Sequence, residues 1–258
     1  MPKIDPRAIV AESARLADDV EVGAYAIIGD HVELGPGCRI APHAMVQGPT
    51  RMGRDNKVFQ FASIGDAPQD KKYGGEPTWL EVGDGNVFRE CCTVNRGTVT
   101  GIGATRIGNQ CLFMAYSHVA HDCVIEDHCI MSNCTALAGH VELGRWVILS
   151  GYAAVHQFCK LGAHVFAANN AAITRDVPPY LLVAGSPAEP KGINSEGLKR
   201  RGFTPEQIAS VKRAYRLLYR SKLKLADATE EIAKLAQSDE VVRPFVEFLP
   251  RLTRSLIR

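Results

Sequence analysis

The stretch Ser117–Ile125 reads SHVAHDCVI, with His118 and His121 three residues apart and Asp122 directly after the second. Imidazole nitrogens ligate metals, accept protons near neutral pH, or hydrogen-bond quietly inside a fold. An aspartate beside a histidine can fix its tautomer and stabilise its protonated form. His140 follows in LAGH, and His156 with Gln157 in AVHQF. A polar QDKKY run and a basic LKRRG cluster, with Lys199, Arg200 and Arg201, complete the residues suited to binding or transforming a ligand. What they can do depends on the frame that positions them.

That frame is a repeat of six. Every sixth residue from Ile4 to Ile64 is apolar, and so is every sixth from Ile107 to Ile173. With 46% hydrophobic residues overall, such a run has a chance probability on the order of 10⁻⁸. Glycine often follows the apolar residue, as at Gly23 and Gly144, and a small residue often stands three further on, as at Ala26 and Ala44. Cys38, Cys92, Cys111, Cys123, Cys129 and Cys159 fall on that small position, so packing is expected of them, not thiol chemistry. A period of six fits neither a helix nor an alternating strand. It fits short strands and tight turns wound as a solenoid, with glycine relieving backbone strain in the turn. The pattern resembles the hexapeptide-repeat family. That resemblance implies a left-handed parallel β-helix with three hexapeptides per coil, stacking residues eighteen apart at about 4.8 Å. The hand is carried by the resemblance alone, since the general crossover rule favours the opposite one.

Residues 66–79 and 97–106 interrupt the repeat and are expected as external loops, where solenoids often bind. The repeat ends near DVPPY, giving a mainly β unit over 1–190 and a C-terminal α-helical domain over 191–258. Thr204, Pro205 and Gln207 read as N-cap, N1 and N3 of a helix with an apolar stripe at Ile208, Val211, Tyr215 and Leu218. Further helices are expected around 226–237 and 239–256. The last 68 residues hold 15 Lys plus Arg against 8 Asp plus Glu, while the whole chain carries only +2. The balance points to a basic tail suited to phosphate or an acidic protein, not to nucleic acid. No apolar run approaches the roughly 18 residues of a membrane span. No signal-like run opens the chain, so a cytoplasmic, non-membrane-spanning protein is expected. Eight cysteines without a CxxC pair make a zinc knuckle unexpected.

In the six-residue frame, His118, His121, His140 and His156 are expected on one edge region of the prism. Two chemistries compete there. His121 can act as general base, oriented by Asp122, with the Gly139 N–H facing a developing oxyanion. Alternatively, three histidines shared between chains can bind zinc with an open coordination position, as in carbonic anhydrases of this fold.

The segments QFASIGDAPQDKKYGGEPT, NRGTV, HVAHDCVI, ALAGHVEL, AVHQFCKLGAH, DVPPY and NSEGLKRRGF together resemble the bacterial UDP-N-acetylglucosamine O-acyltransferases of lipid A biosynthesis. The resemblance implies transfer of an (R)-3-hydroxyacyl chain from acyl carrier protein to the 3-position of a UDP-sugar, in a homotrimer, with no cofactor and no metal. It implies that His121 takes the proton, Asp122 orients it and the Gly139 N–H holds the oxyanion. Gln69, Asp70, Lys72, Asn95, His118, His140, His156 and Gln157 would contact substrate, and Asn194, Glu196, Arg200 and Arg201 would hold the nucleotide. Asn95 stands where the family has histidine before RGT, so any titrating role there is lost and a 3-amino acceptor becomes a second option. Asn169 lies at the family's acyl-length ruler, where longer-chain members have glycine. Its bulk implies chains shorter than about 14 carbons. A zinc-dependent lyase and a diverged sugar-nucleotide-binding paralogue are the alternatives.

Overall fold

The computed structural model describes all 258 residues. It is a left-handed parallel β-helix followed by a small helical region. Most strands are only two residues long, and they form three sheets of eleven, nine and eight strands, parallel except for the last pair of the first. The first face begins at Lys3–Ile4, the second at Ile9–Val10 and the third at Arg15–Leu16. Regular coils pair residues eighteen apart, as Val119 with Leu137 and Leu137 with Val155. The right-handed crossover preference arises from long connections packing over twisted strands. Two-residue strands joined by tight turns lack that premise.

The interior is built as the repeat demands. Val119, Ile125, Met131, Leu137, Leu143 and Leu149 are buried, and so are all six cysteines on the small position. Burial pushes the Cys92 and Cys123 thiols up to about 12 and Cys159 up to about 11. They remain neutral and inert. Asn56 and Asn86 also take the small position, and they are fully buried because their amides bond the next coil. Asn86 Nδ2 donates to Asn56 Oδ1 at 3.0 Å and to the Gly108 carbonyl at 2.9 Å.

The expectation for glycine is corrected. The left-handed position in most turns is not the one after the inward apolar residue, where glycine recurs, but two places later: Tyr25, His43, Asp122, His140, Trp146 and Tyr152 all have φ near 60°, and glycine takes that position at Gly37 and Gly85. Glycine is needed instead for closeness. A Cβ on Gly23 would lie 2.7 Å from the Pro42 nitrogen of the coil above. The strained corner residues stack on one another between coils. His140 lies over Phe158 at 4.5 Å, and His128 over Trp146 at 4.1 Å. An aromatic pair repays part of the left-handed strain.

Both interruptions leave at one corner, the turn from the second face to the third. Ile64 pairs with Val94 and Val94 with Val119, so the loops add twelve and then seven residues without shifting the strands. Parallel strands continue to Leu181–Ala184, and Glu189–Ile193 returns antiparallel along them. Helices α1 (Ser195–Arg200), α2 (Pro205–Tyr219), α3 (Leu225–Ser238) and α4 (Arg243–Phe248) follow. Thr204 and Gln207 form the capping box read from the sequence. The expected helix over 239–256 is instead α4 between two single 3₁₀ turns, Glu240–Val242 and Leu249–Arg251. Pro244 and Pro250 permit only helix starts there.

The chain end is clasped to the β-helix by Asp176, which is fully buried. Its carboxylate accepts the backbone N–H of Lys160 at 2.8 Å, of Thr253 at 2.6 Å and of Arg254 at 2.9 Å. Asp176→Ala strands three donors in the interior. Chemical denaturation should show about 2–4 kcal/mol lost, and a change under about 1 kcal/mol would show that the clasp is dispensable.

Candidate functional site

The second corner gathers most of the chemistry, coil by coil. The 66–79 loop leaves it first, the 97–106 loop one coil on, then the His121–Asp122 turn, then Gly139–His140, then His156–Gln157. Each step is about 4.8 Å.

Asp122 has no side-chain exposure, and its Oδ2 lies 2.8 Å from His121 Nδ1. Burial pushes the Asp122 carboxyl up. The Thr98 hydroxyl, the His121 ring and the Thr98 N–H outweigh it, leaving the carboxyl below its ordinary value. An ionised carboxylate only accepts, so Nδ1 carries the proton and His121 Nε2 is left as the proton acceptor. Gly139 packs against that nitrogen. A Cβ at 139 would lie 2.8 Å from His121 Nε2, so any side chain there would cover it. The Gly139 carbonyl accepts from Phe158 N–H at 3.1 Å, while its own N–H has no backbone or side-chain acceptor in the chain. His121 Nε2 and the unpaired N–H of the buried Gly139 therefore lie one coil apart.

His140 lies edge-on to His121, centroids 5.1 Å apart, with Nε2 4.0 Å from Asp122 Oδ2. Burial lowers its pKa, partly offset by Asp122 and by Asp70. Asp70 of the first loop is thus close enough to bear on the corner. Its carboxylate accepts the Lys72 N–H at 3.0 Å, and Gln69 and Lys72 are exposed beside it. His118 is on the flat second face, not the corner. Its Nδ1 shares a 2.7 Å hydrogen bond with the Thr93 hydroxyl, and burial lowers its pKa. His156 and Gln157 are exposed two coils beyond His121. Asn95 is buried at the base of the first loop, where Nδ2 donates to the Ala67 carbonyl at 2.9 Å and Oδ1 has no partner.

Other expected residues lie elsewhere. Asn169 is exposed at the first corner. Asn194, Glu196, Arg200 and Arg201 lie at the third. Asn194 braces this corner: it is 5% exposed, Nδ2 donates to the His164 carbonyl at 2.9 Å, and Oδ1 accepts Gly197 N–H at 3.1 Å. Arg201 is committed too, donating to the Trp146 carbonyl at 3.2 Å with its guanidinium over the Trp146 ring. Glu196 pairs with Lys199 at 2.8 Å, and Arg200 is exposed without an ion pair. A single chain therefore does not bring these residues to His121.

The zinc reading fares poorly on geometry. His121, Asp122 and His140 have donor atoms within 4.8 Å of one another. The Asp122 carboxylate is already filled by four protein donors, however. Sequence reasoning overlooked Thr98, Ile102 and Thr105, which hold Asp122 through the second loop. Only the position of the interruption hinted at them.

Burial, reinforced by Arg201 and Arg145, holds the His164 pKa down at about 3, against 6.5 unperturbed. Its stabilising contribution is complete above pH 6.5 and is lost as pH falls toward 3, because the unfolded chain binds the extra proton. The slope is up to about 1.4 kcal/mol per pH unit. His164→Phe should flatten that acid slope in denaturation curves taken across pH 3–6.5, and an unchanged slope would locate the proton uptake elsewhere.

A family model described as UDP-N-acetylglucosamine O-acyltransferase, domain 2, matches residues 176–257, and bacterial transferase hexapeptide repeats match 13–48 and 104–139. The acyl-[acyl-carrier-protein]–UDP-N-acetylglucosamine O-acyltransferase of Thiobacillus denitrificans is 52% identical over 258 residues, covering all of both chains. The solved UDP-N-acetylglucosamine acyltransferase of Francisella novicida superposes with a TM-score of 0.97 at 41% identity, covering 99% of this chain and 94% of that one. A structure from Acinetobacter baumannii gives 0.96 at 40%, covering 99% of each chain.

Proposed function

Because the chain belongs to the acyl-[acyl-carrier-protein]–UDP-N-acetylglucosamine O-acyltransferase family, we propose that the second corner carries the acyl transfer that opens lipid A biosynthesis. His121 Nε2 removes the proton from the sugar 3-hydroxyl as that oxygen attacks the thioester carbonyl of the acyl carrier. The Gly139 N–H donates to the carbonyl oxygen as it gains charge. Collapse expels the carrier thiolate, which recovers the proton from His121, leaving the 3-O-acyl sugar nucleotide. The observation that carries the reading is the open Nε2 of a histidine whose Nδ1 is bound to a buried carboxylate 2.8 Å away. A base contributes roughly 10²–10⁴ in rate, and an oxyanion donor roughly 10²–10³. Gln69, Asp70, Lys72, His118, His140, His156 and Gln157 line the groove on either side.

The enzyme works as a cytoplasmic homotrimer on this reading. Tyr25, Phe61, Tyr116 and Tyr152 are 53–66% exposed, all on the first corner. Over its later coils the adjoining first face turns Val87, Leu112, Ile130, Ile148 and Phe166 outward, after the charged Lys3, Glu21, Arg39 and Lys57 of its first coils, while the third face carries Arg15, Glu33, Arg51, Glu81 and Arg106. Apolar face and aromatic corner suit a partner; the charged face suits water. A neighbouring copy would bring the first-corner Asn169 and third-corner Arg200 to a site that His121 begins. The basic tail suits the acidic carrier protein.

His121→Ala should lower turnover at least about 100-fold while the oligomer persists. Turnover above about a tenth of wild type would assign the base elsewhere. Hybrid oligomers of His121→Ala and Arg200→Ala chains should regain activity that neither shows alone, and no recovery would place both residues in one chain's site. Carrier donors of graded length, offered with 3-hydroxy and 3-amino acceptors, test Asn169 and Asn95. Preference for the longest chain would refute the steric role of Asn169.

A further inference from the structure

The loop that interrupts the repeat at 97–106 touches the Asp122 carboxylate more than anything else. The Thr98 N–H lies 3.1 Å from both carboxylate oxygens, and the Thr98 hydroxyl donates to Oδ2 at 2.6 Å. The Ile102 N–H donates to Oδ1 at 3.0 Å. Thr105 closes the cradle from behind, its hydroxyl accepting the Asp122 N–H at 2.9 Å. Gly101 is required by the fit, since a Cβ there would lie 2.3 Å from the carboxyl carbon. Thr98 itself is buried, and its hydroxyl stands 3.2 Å from that of Thr100. The His121 Nδ1–H and the Thr98 hydroxyl thus share one oxygen, Oδ2, within 2.8 and 2.6 Å.

We propose that the 97–106 loop is a carboxylate cradle, and that Thr98 is a positioning residue setting how strongly Asp122 holds the proton of His121. The reasoning is electrostatic. A buried anion without water must be neutralised by what surrounds it. Were His121 its only partner, the carboxylate would draw the whole compensation from the imidazole and favour the imidazolium, which cannot act as a base. Three neutral hydrogen bonds take most of that load. The carboxylate stays ionised and fixed, and the imidazole is oriented without being over-stabilised in its charged form. The charged and titrating groups around the pair are few. His140 faces it from the next coil, Asp70 from the first loop acts on His140, and Cys123 lies inward with its thiol pushed up to about 12. Arg96, at the loop's base, is tied to the Gly65 carbonyl at 2.7 Å and the Tyr73 hydroxyl at 3.0 Å. The residues that hold the carboxylate, Thr98, Ile102 and Thr105, carry no charge, and Arg106 at the end of the loop is paired with Glu81 at 2.9 Å, so the effect of the cradle is separable from theirs.

This rests on the reading of His121 as base, and the test keeps the two apart. Thr98→Val keeps the volume and removes the hydroxyl; Thr98→Ser keeps the hydroxyl and removes the methyl. In Thr98→Val the acidic limb of the kcat/KM–pH profile should move up by about half to one pH unit. The plateau should fall about tenfold with KM for the sugar nucleotide little changed. Thr98→Ser should restore both. If valine prevents folding, Thr98→Ala carries the same expectation. An acidic limb that stays at the wild-type position overturns the proposal, and so does a rate loss that serine does not rescue. Activity surviving in His121→Ala would instead remove the base on which it rests.

Discussion

Two-residue strands can pair only if every side of the prism keeps its six-residue count. One extra residue inside a side would turn the interior row of all later coils toward solvent. Additional chain must therefore leave and return at a corner, and here both excursions use the same one. That constraint makes the second corner chemically rich. Below it lie two loops free of the repeat's size rules, and above it lie turns whose outward side chains are free to vary. The flat faces cannot offer this, because their outward residues stand in rows fixed by the pairing.

The corner also explains why the aspartate can be buried. Asp122 adopts a left-handed backbone with φ of 58°, a conformation aspartate tolerates better than most residues. The turn hides its carboxylate beneath the second loop, while His121, one residue earlier, keeps a ring edge outward at 15% side-chain exposure. Orientation and exposure are divided between neighbours in sequence. Gly139, one coil on, completes the division by leaving His121 Nε2 uncovered, since it has no side chain.

Much of this was legible in the sequence. The apolar row, the inward cysteines, the two excursions and the capping box at Thr204 are local patterns, each with one physical meaning. What escaped was whatever depends on the third dimension around a corner. Glycine was read for strain because strain is its common use, whereas the coil spacing demands closeness at Gly23 and leaves strain to Tyr25. The cap and brace bonds of Asn194 were not legible either, since they appear only once His164 is placed beside it. Thr98 carried no signal beyond the position of the interruption, since nothing in GTVTG says that the loop folds over a carboxylate one coil away.

The stacked corners also quantise this architecture. Adding or removing a whole coil would leave all three faces in register. It would change the axial separation of any two residues on a corner by about 4.8 Å and by nothing smaller. A catalytic geometry needs tolerances near half an ångström. His121, Gly139 and the loop that holds Asp122 are therefore locked to adjacent coils. Divergence in such a chain can lengthen the prism at either end, and it can remodel the loops. It cannot tune the distance from His121 to Gly139 by degrees.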